Sequence, residues 1–475
     1  MDERRGVDEH DAVAVAERVA SGRASAREVL EESLARVARL DPPLNAFSVV
    51  LAEAARAEAD ARDAAQAAGE PLGPLHGVPV AVKEELDVAG AVTTYGGEAN
   101  SAAAPADAEL VRRLRAAGAV VVGKTTMPEF GAFPFTEGAS RGLTRNPWDP
   151  SRTPGGSSGG TAVAVATGMV PVAVGGDGGG SIRIPSACCG LFGLKPQRGR
   201  VTAAPQPHLW WALGTTGPLA RSVRDAALVY DVVRGSLPSD LHHAGEAGSF
   251  VEAAGRAPGR LRVGWSVRPV TRGVRPHPEH VAAVHDTARL LAELGHEVRE
   301  VDPRYPDPTA AFVPQFLAGI RSEAELVQHP ERLERRTRET LRLGAWVTPR
   351  VREAALRRTR TVSALANRVF EGDGAVDVLL TPATAHRPAR AGVLDGRGTV
   401  ASSLLALPSI AYAALWNVAG NPAAAVPAGL ASDGLPLAVQ LVGRTDDEPT
   451  LLSLSAQLEA ARPWSFPPRR LRGCC

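Results

Sequence analysis

Lysine is almost missing from this chain. Of 475 residues only Lys83, Lys124 and Lys195 are lysine, against fifty arginines. Wherever a plain positive charge suffices the sequence uses arginine, whose guanidinium cannot give up its proton, whereas a desolvated ammonium can. Histidine, the usual base at neutral pH, is absent between His76 and His208. Cysteine occurs only as two adjacent pairs, Cys188-Cys189 and Cys474-Cys475. Neighbouring cysteines cannot staple distant loops and lack metal-ligand spacing, so a disulfide framework is excluded and a reducing cytoplasm fits. A net charge of +1 leaves no overall basic field to draw nucleic acid. The charged start, Met1-Asp-Glu-Arg-Arg-Gly, leads into no apolar run of the secretory kind. The one long uncharged stretch, 401–432, is interrupted by Pro408, Pro422 and Pro427. Those prolines would leave broken backbone in lipid, so it reads as a buried loop and strand, helping to floor a site.

What is present in excess is glycine, placed unevenly. Thr153 to Pro185 holds two glycine-walled serine clusters, Pro154-Gly-Gly-Ser-Ser-Gly-Gly160 and Gly175-Gly-Asp-Gly-Gly-Gly-Ser181, with Asp177 and Arg183 as its only charges. Glycine lets a ligand approach bare peptide N–H groups but costs folding entropy, so two dense clusters need a reason. Flexible linkers are the commonest use of such composition. A linker would not run straight into Thr161-Ala-Val-Ala-Val-Ala and Val170-Pro-Val-Ala-Val, which read as a buried helix and a strand. Neither cluster ends in G-K-[ST], and the G-x-G-x-x-G spacing is absent, which argues against a nucleotide cradle. In the second cluster consecutive bare N–H groups precede a hydroxyl where the oxyanion of a tetrahedral intermediate would form. Ser181 is therefore the candidate nucleophile.

A serine needs a base. Lys83 ends Gly77-Val-Pro-Val-Ala-Val-Lys83, a strand-like run that would carry its amine into the interior, and Lys124 follows the similar run 118–123. Either could instead cap a strand, and Lys195 reads as structural.

These segments together resemble the amidase signature family of serine hydrolases. The resemblance rests on G-V-P-V-A-V-K at 77–83, G-K-T-T-M-P-E-F at 123–130, P-G-G-S-S-G-G at 154–160, D-G-G-G-S-I-R at 177–183, G-L-F-G-L-K-P at 190–196 and G-L-P-L-A-V-Q-L-V-G at 434–443. It covers nearly the whole chain and is weakest near 300–375. It implies one α/β domain over 1–475, a large mixed β-sheet covered by helices on both faces. Within it, 1–74 would form N-terminal helices, 75–230 the signature core and 300–375 a variable helical segment for substrate specificity. It further implies a Ser-Ser-Lys triad. Ser181 attacks an amide carbonyl, Ser157 relays its proton from behind a cis Gly156–Ser157 peptide, and Lys83 is the final base, with no metal and no organic cofactor. Backbone N–H groups at Gly178, Gly179 and Gly180 would form the oxyanion hole, with Ser158 beside them. The substrate would be a small-molecule amide, and a homodimer is the family's common habit. Residues 141–200 are similar to the aminohexanoate-oligomer and cyclic-dimer hydrolase branch, while aliphatic, aryl, cyclic and peptide amides all stay open. A glutamine-hydrolysing subunit of a tRNA-dependent amidotransferase is the alternative within the family, disfavoured by Ile184 where that branch usually has glutamine. A catalytically silent scaffold is the alternative outside enzymes.

One departure stands out. Where the family commonly has Asp-Asn after the lysine, this chain has Glu84-Glu85. On a continuing strand Glu85 would share a face with Lys83, and a carboxylate there would keep the ammonium charged. Glu85 is therefore expected to turn away or to be engaged elsewhere, and a Glu85 bonded to Lys83 alone would count against the mechanism. Three further segments invite a role. The aromatic loop between Pro128 and Pro154 packs a core or walls an acyl pocket, and Trp210-Trp211 touch substrate or core. Residues 331–360, with ten arginines and four glutamates, form a solvated helix face or a lid.

Overall fold

A computed structural model describes residues 11–467. Thirteen strands follow one another as β1 (Phe47–Val50), β2 (Pro79–Lys83), β3 (Val120–Thr125), β4 (Glu137–Gly138), β5 (Gly142–Leu143), β6 (Val172–Gly176), β7 (Phe192–Lys195), β8 (Thr216–Ala220), β9 (Arg262–Trp265), β10 (Glu297–Glu300), β11 (Val378–Pro382), β12 (Ala423–Leu430) and β13 (Pro436–Gly443). Eleven form one mixed sheet in the order β1-β3-β2-β6-β8-β7-β12-β13-β11-β9-β10, and β4 pairs with β5 apart from it. Strands β3, β2 and β6 run parallel. Every residue of these three is buried, which is why they read as unbroken apolar runs rather than alternating ones. The helix Gly159–Ala166 is likewise buried at all eight positions, and its sequence is correspondingly apolar all round.

The amphipathic stretches predicted near the start are the helices Ala12–Ala20, Ala26–Leu44 and Ala52–Ala67. The second opens on a capping box in which Ser25 accepts from the Glu28 N–H and the Glu28 carboxylate accepts from the Ser25 N–H. The N-terminal segment is not helical throughout, because Phe47-Ser-Val-Val50 joins the sheet antiparallel to β3. Of the buried loop and strand predicted at 401–432, the strand is β12 and the loop is corrected. It contains the helices Thr399–Ile410 and Ala414–Ala419 ahead of β12. Pro408 is accommodated in the last turn of the first helix, and Pro422 falls in the link to the strand.

Residues 300–375 are helical as expected, over Thr309–Ala324, Arg335–Leu343 and Pro349–Asn367. Most arginines of 331–360 lie on exposed faces, while Thr337, Thr340, Ala355 and Thr359 face inward. Two reach aromatics: Arg352 stands 4.0 Å over the Trp211 ring and Arg336 lies 5.6 Å from that of Phe133. Among the described residues no helix is long and apolar enough to cross a membrane. The charged start and Cys474-Cys475 lie outside the described residues. Cys188 and Cys189 are buried free thiols, and burial pushes the Cys188 thiol up to about 12, which suits core packing rather than nucleophilic work.

Candidate active site

Because β2 and β6 are parallel neighbours, their carboxyl ends open on the same edge of the sheet, where α/β folds place ligands. Lys83 is the last residue of β2, and the loop carrying Asp177 and Ser181 begins where β6 stops. The strand run thus delivers an amine to the serine clusters. Lys83 is 1% exposed and its Nζ donates to Ser157 Oγ at 2.9 Å, across 74 residues of sequence. The Gly156–Ser157 peptide is cis. Thr136 Oγ1 clamps the loop before the helix Gly159–Ala166, donating to the Gly155 carbonyl at 2.9 Å and accepting from the Gly159 N–H at 3.1 Å. Ser158 donates to the Gly176 carbonyl at 3.2 Å, tying the first cluster to the end of β6.

Ser181 is 9% exposed. Its hydroxyl has no hydrogen-bond partner among the described residues, so the structure joins Lys83 to Ser157 but does not join Ser157 to Ser181. The loop before it is organised by Asp177. That buried carboxylate accepts from the N–H groups of Gly180 at 2.7 Å and Ile182 at 3.1 Å, from Arg183 Nε and Nη2 at 3.0 Å each, and from Asn417 Nδ2 at 2.8 Å. Burial alone would raise its pKa, but the Arg183 guanidinium beside it and these hydrogen bonds hold it well below the usual carboxylate range. Arg183 is held in turn by Gln440 at 2.8 Å, the Ala413 carbonyl at 3.1 Å and Asn417 at 2.6 Å.

This arrangement narrows the expected oxyanion hole. The Gly180 N–H is engaged by Asp177, whereas those of Gly178, Gly179 and Ser181 have no acceptor among the described residues. Gly180 serves by shape instead. Its φ of +126° belongs to glycine, and a Cβ there would stand 2.6 Å from Ile184 Cδ1.

Glu85 does not turn away. The chain bends after Lys83, with the Leu86 N–H donating to the Lys83 carbonyl at 3.0 Å, and this bend folds Glu85 back so that its Oε2 lies 3.0 Å from Lys83 Nζ. Glu84 points elsewhere, accepting from Thr94 and from Arg141 Nη2 at 3.3 Å. The other lysines are used structurally. Lys124 donates to the Val92 carbonyl and to Thr93, and burial lowers its pKa to about 8 against the pull of Glu84. Lys195 donates to the Pro196 carbonyl, and burial lowers it to about 7.

The aromatic residues take mainly packing roles. Phe130, Phe133 and Phe135 are buried, and Gly131 abuts Ser157, where a Cβ would lie 2.9 Å from its Oγ. Trp210 packs on Gly178 and Gly319, donates from Nε1 to Glu323 at 2.8 Å, and lines a cleft together with Glu85, Tyr95, His208 and Glu323. Neither Ser157 nor Ser181 lines that cleft. Glu323, Asn417 and Gln440 escaped sequence reasoning because no local pattern marks them. Asp177 and Arg183 carried a signal, being the only charges in an otherwise uncharged stretch.

The Amidase family model matches residues 28–452. The provisionally named amidase AmiB2 of Mycobacterium tuberculosis is 50% identical over 456 residues, covering 96% of each chain. The 6-aminohexanoate-cyclic-dimer hydrolase of Pseudomonas sp. strain NK87 is 35% identical over 483 residues, covering 96% of this chain and 95% of that one. Among solved structures, 6-aminohexanoate cyclic dimer hydrolase complexed with substrate superposes with a TM-score of 0.88 at 34% identity, over 97% of this chain and 99% of the other. A bacterial aryl acylamidase of the amidase signature family gives 0.85 at 29% identity, over 96% of each. Fold and relatives define an amide-hydrolysing enzyme acting on small molecules. The chain belongs to the amidase signature family.

Proposed function

We propose that this chain hydrolyses a carboxylic amide to carboxylate and amine through an acyl-enzyme on Ser181. Ser181 Oγ attacks the carbonyl carbon while its proton passes to Ser157 and the Ser157 proton passes to Lys83. The N–H groups of Gly178, Gly179 and Ser181 receive the oxyanion. Collapse expels the nitrogen, which takes the proton back, and water then releases the acyl group by the same steps reversed. The observation that carries the reading is the buried hydrogen bond from Lys83 Nζ to Ser157 Oγ. Ser181 must come within reach of Ser157 when substrate binds, since catalytic hydrogen bonds commonly tighten only in the complex. The similarity to cyclic-dimer hydrolases makes linear and cyclic oligoamides of an ω-amino acid the first substrates to test.

A fluorophosphonate probe tests the chemistry without knowledge of the substrate. Labelling should map to Ser181, vanish in Ser181→Ala and slow at least about a hundredfold in Lys83→Ala. Folded protein that resists the probe would support the silent scaffold. A panel of aliphatic, aryl, cyclic and oligomeric amides, read by mass spectrometry, then assigns the substrate.

A further inference from the structure

A carboxylate beside a lysine base is a chemical conflict. Glu85 Oε2 lies 3.0 Å from Lys83 Nζ, which also donates to Ser157 Oγ at 2.9 Å. A neighbouring carboxylate favours the ammonium form of any amine, and an ammonium cannot accept a proton from Ser157. Three observations show that the contact is built into the fold. The turn closed by the Leu86 N–H on the Lys83 carbonyl brings Glu85 back over the lysine. Gly176, at the end of β6, leaves room for the carboxylate, since a Cβ there would stand 2.2 Å from Glu85 Oε1. That Oε1 is itself buried and has no hydrogen-bond partner among the described residues, so the carboxylate is committed to no group other than Lys83.

We infer that Glu85 is a positioning residue for Lys83 that also takes up its proton, so that the working base is the Lys83–Glu85 pair rather than the lysine alone. The inference rests on the Ser181 acyl-enzyme reading above. At rest the pair holds one mobile proton as ammonium and carboxylate. During attack a Nζ–H bond breaks and an Oε2–H bond forms on Glu85. The freed Nζ lone pair takes the Ser157 proton, Ser157 takes that of Ser181, and the Ser181 oxygen bonds to the carbonyl carbon as its π pair moves to oxygen. The products are ammonium, neutral carboxylic acid and oxyanion, with total charge unchanged. When the C–N bond breaks, a proton reaches the leaving nitrogen through Ser157 and Lys83, and the Glu85 proton returns to Nζ. No outside oxidant, reductant or acid is required.

Around the pair, Ser157 accepts from Lys83, and Glu323 from the helix Thr309–Ala324, Asp87, Tyr95 and His208 line the same cleft as Glu85. Glu323 is pushed well above the usual carboxyl range by burial and by the charge of Glu85.

The test is the pH dependence of the fluorophosphonate labelling rate at Ser181 in wild type, Glu85→Gln, Glu85→Asp and Glu85→Ala. If the pair is the base, Glu85→Gln moves the acid limb up by one pH unit or more and slows labelling at pH 7 at least tenfold, because an unassisted lysine must now lose its own proton. Glu85→Asp keeps the wild-type limb. Glu85→Ala recovers rate saturably with added formate, which the adjacent cleft admits. If the lysine acts alone, removing the carboxylate has the opposite sign: the limb in Glu85→Gln moves down and labelling at pH 7 speeds up, which overturns the inference. An unmoved limb, or folded Glu85→Ala that ignores formate, overturns it as well. Wild type that is not labelled at all brings down the acyl-enzyme reading itself, an outcome separable from the ordering of the variants.

Discussion

Asp177 does more to shape the nucleophile loop than either serine. Its two oxygens collect three backbone N–H groups, one edge of the Arg183 guanidinium and the Asn417 amide, so the turn before Ser181 is fastened from inside. Both members of the ion pair are essentially sealed from water. Such a pair adds little over an apolar substitute, but losing one partner strands a buried charge and costs about 3–5 kcal/mol. Asp177→Ala should therefore lower the thermal midpoint sharply and abolish Ser181 labelling even in protein kept folded at low temperature. Arg183→Lys should fall between, because a point charge cannot span Asp177, Asn417 and Gln440 at once. Differential scanning fluorimetry and probe labelling measure the two effects separately.

At the scale of elements, the helix Arg335–Leu343 is docked onto the core by a buried acid. Glu129, in the turn Glu129–Gly131 beside Ser157, accepts from the Glu334 N–H at 2.9 Å just before the helix Arg335–Leu343. Burial, opposed in part by a hydrogen bond from Thr337 and reinforced by Glu334, raises Glu129 to about 7. A carboxyl raised in the folded state stabilises fully below its unfolded value near 4.5, and that contribution is lost as pH rises through about 7. Glu129→Gln should accordingly gain on wild type between pH 5 and 8, by up to about 3 kcal/mol. Thermal midpoints of the two proteins across that range check the sign; parallel curves would refute it.

For the whole molecule, the sheet order matters most. Strands β12 and β13, the last two in sequence, sit between β7 and β11 rather than at an edge. Gln440 on β13, with Ala413 and Asn417 before β12, holds Arg183 from more than 200 residues away. A chain ending at residue 410 would keep Lys83, Ser157 and Ser181 yet lose the middle of the sheet and the far half of the Arg183 network. It should show no cooperative thermal transition and no labelling. A folded, reactive fragment would contradict this account of how the site is held.

Much of the site was legible from spacing. The two glycine-serine clusters pointed to the proposed nucleophile loop, the scarcity of lysine left Lys83 and Lys124 as candidate bases until the resemblance favoured Lys83, and continuous valine-rich runs marked the central parallel strands. Local patterns carry such information because strand burial and turn formation depend on neighbouring residues. Pairings across the fold do not leave that trace. Alternation placed Glu85 on the face of Lys83, but whether it stayed there was decided by a bend after the strand, and chemistry alone argued for the wrong answer. The helices within 399–419 were hidden because a proline in a last turn looks the same in sequence as one in a loop.

The sequence by itself therefore marked the central parallel strands and the loop of Ser181 by composition and short-range spacing, and its longer motifs carried the resemblance that named the family and put forward Lys83 and Ser157. Only the tertiary structure decided that Glu85 meets Lys83, that Asp177 takes the Gly180 N–H, and that Arg183 is gripped from beyond residue 400. Those contacts depend on which distant side chains the packed sheet brings within hydrogen-bond range, and that is set by the closure of the whole chain.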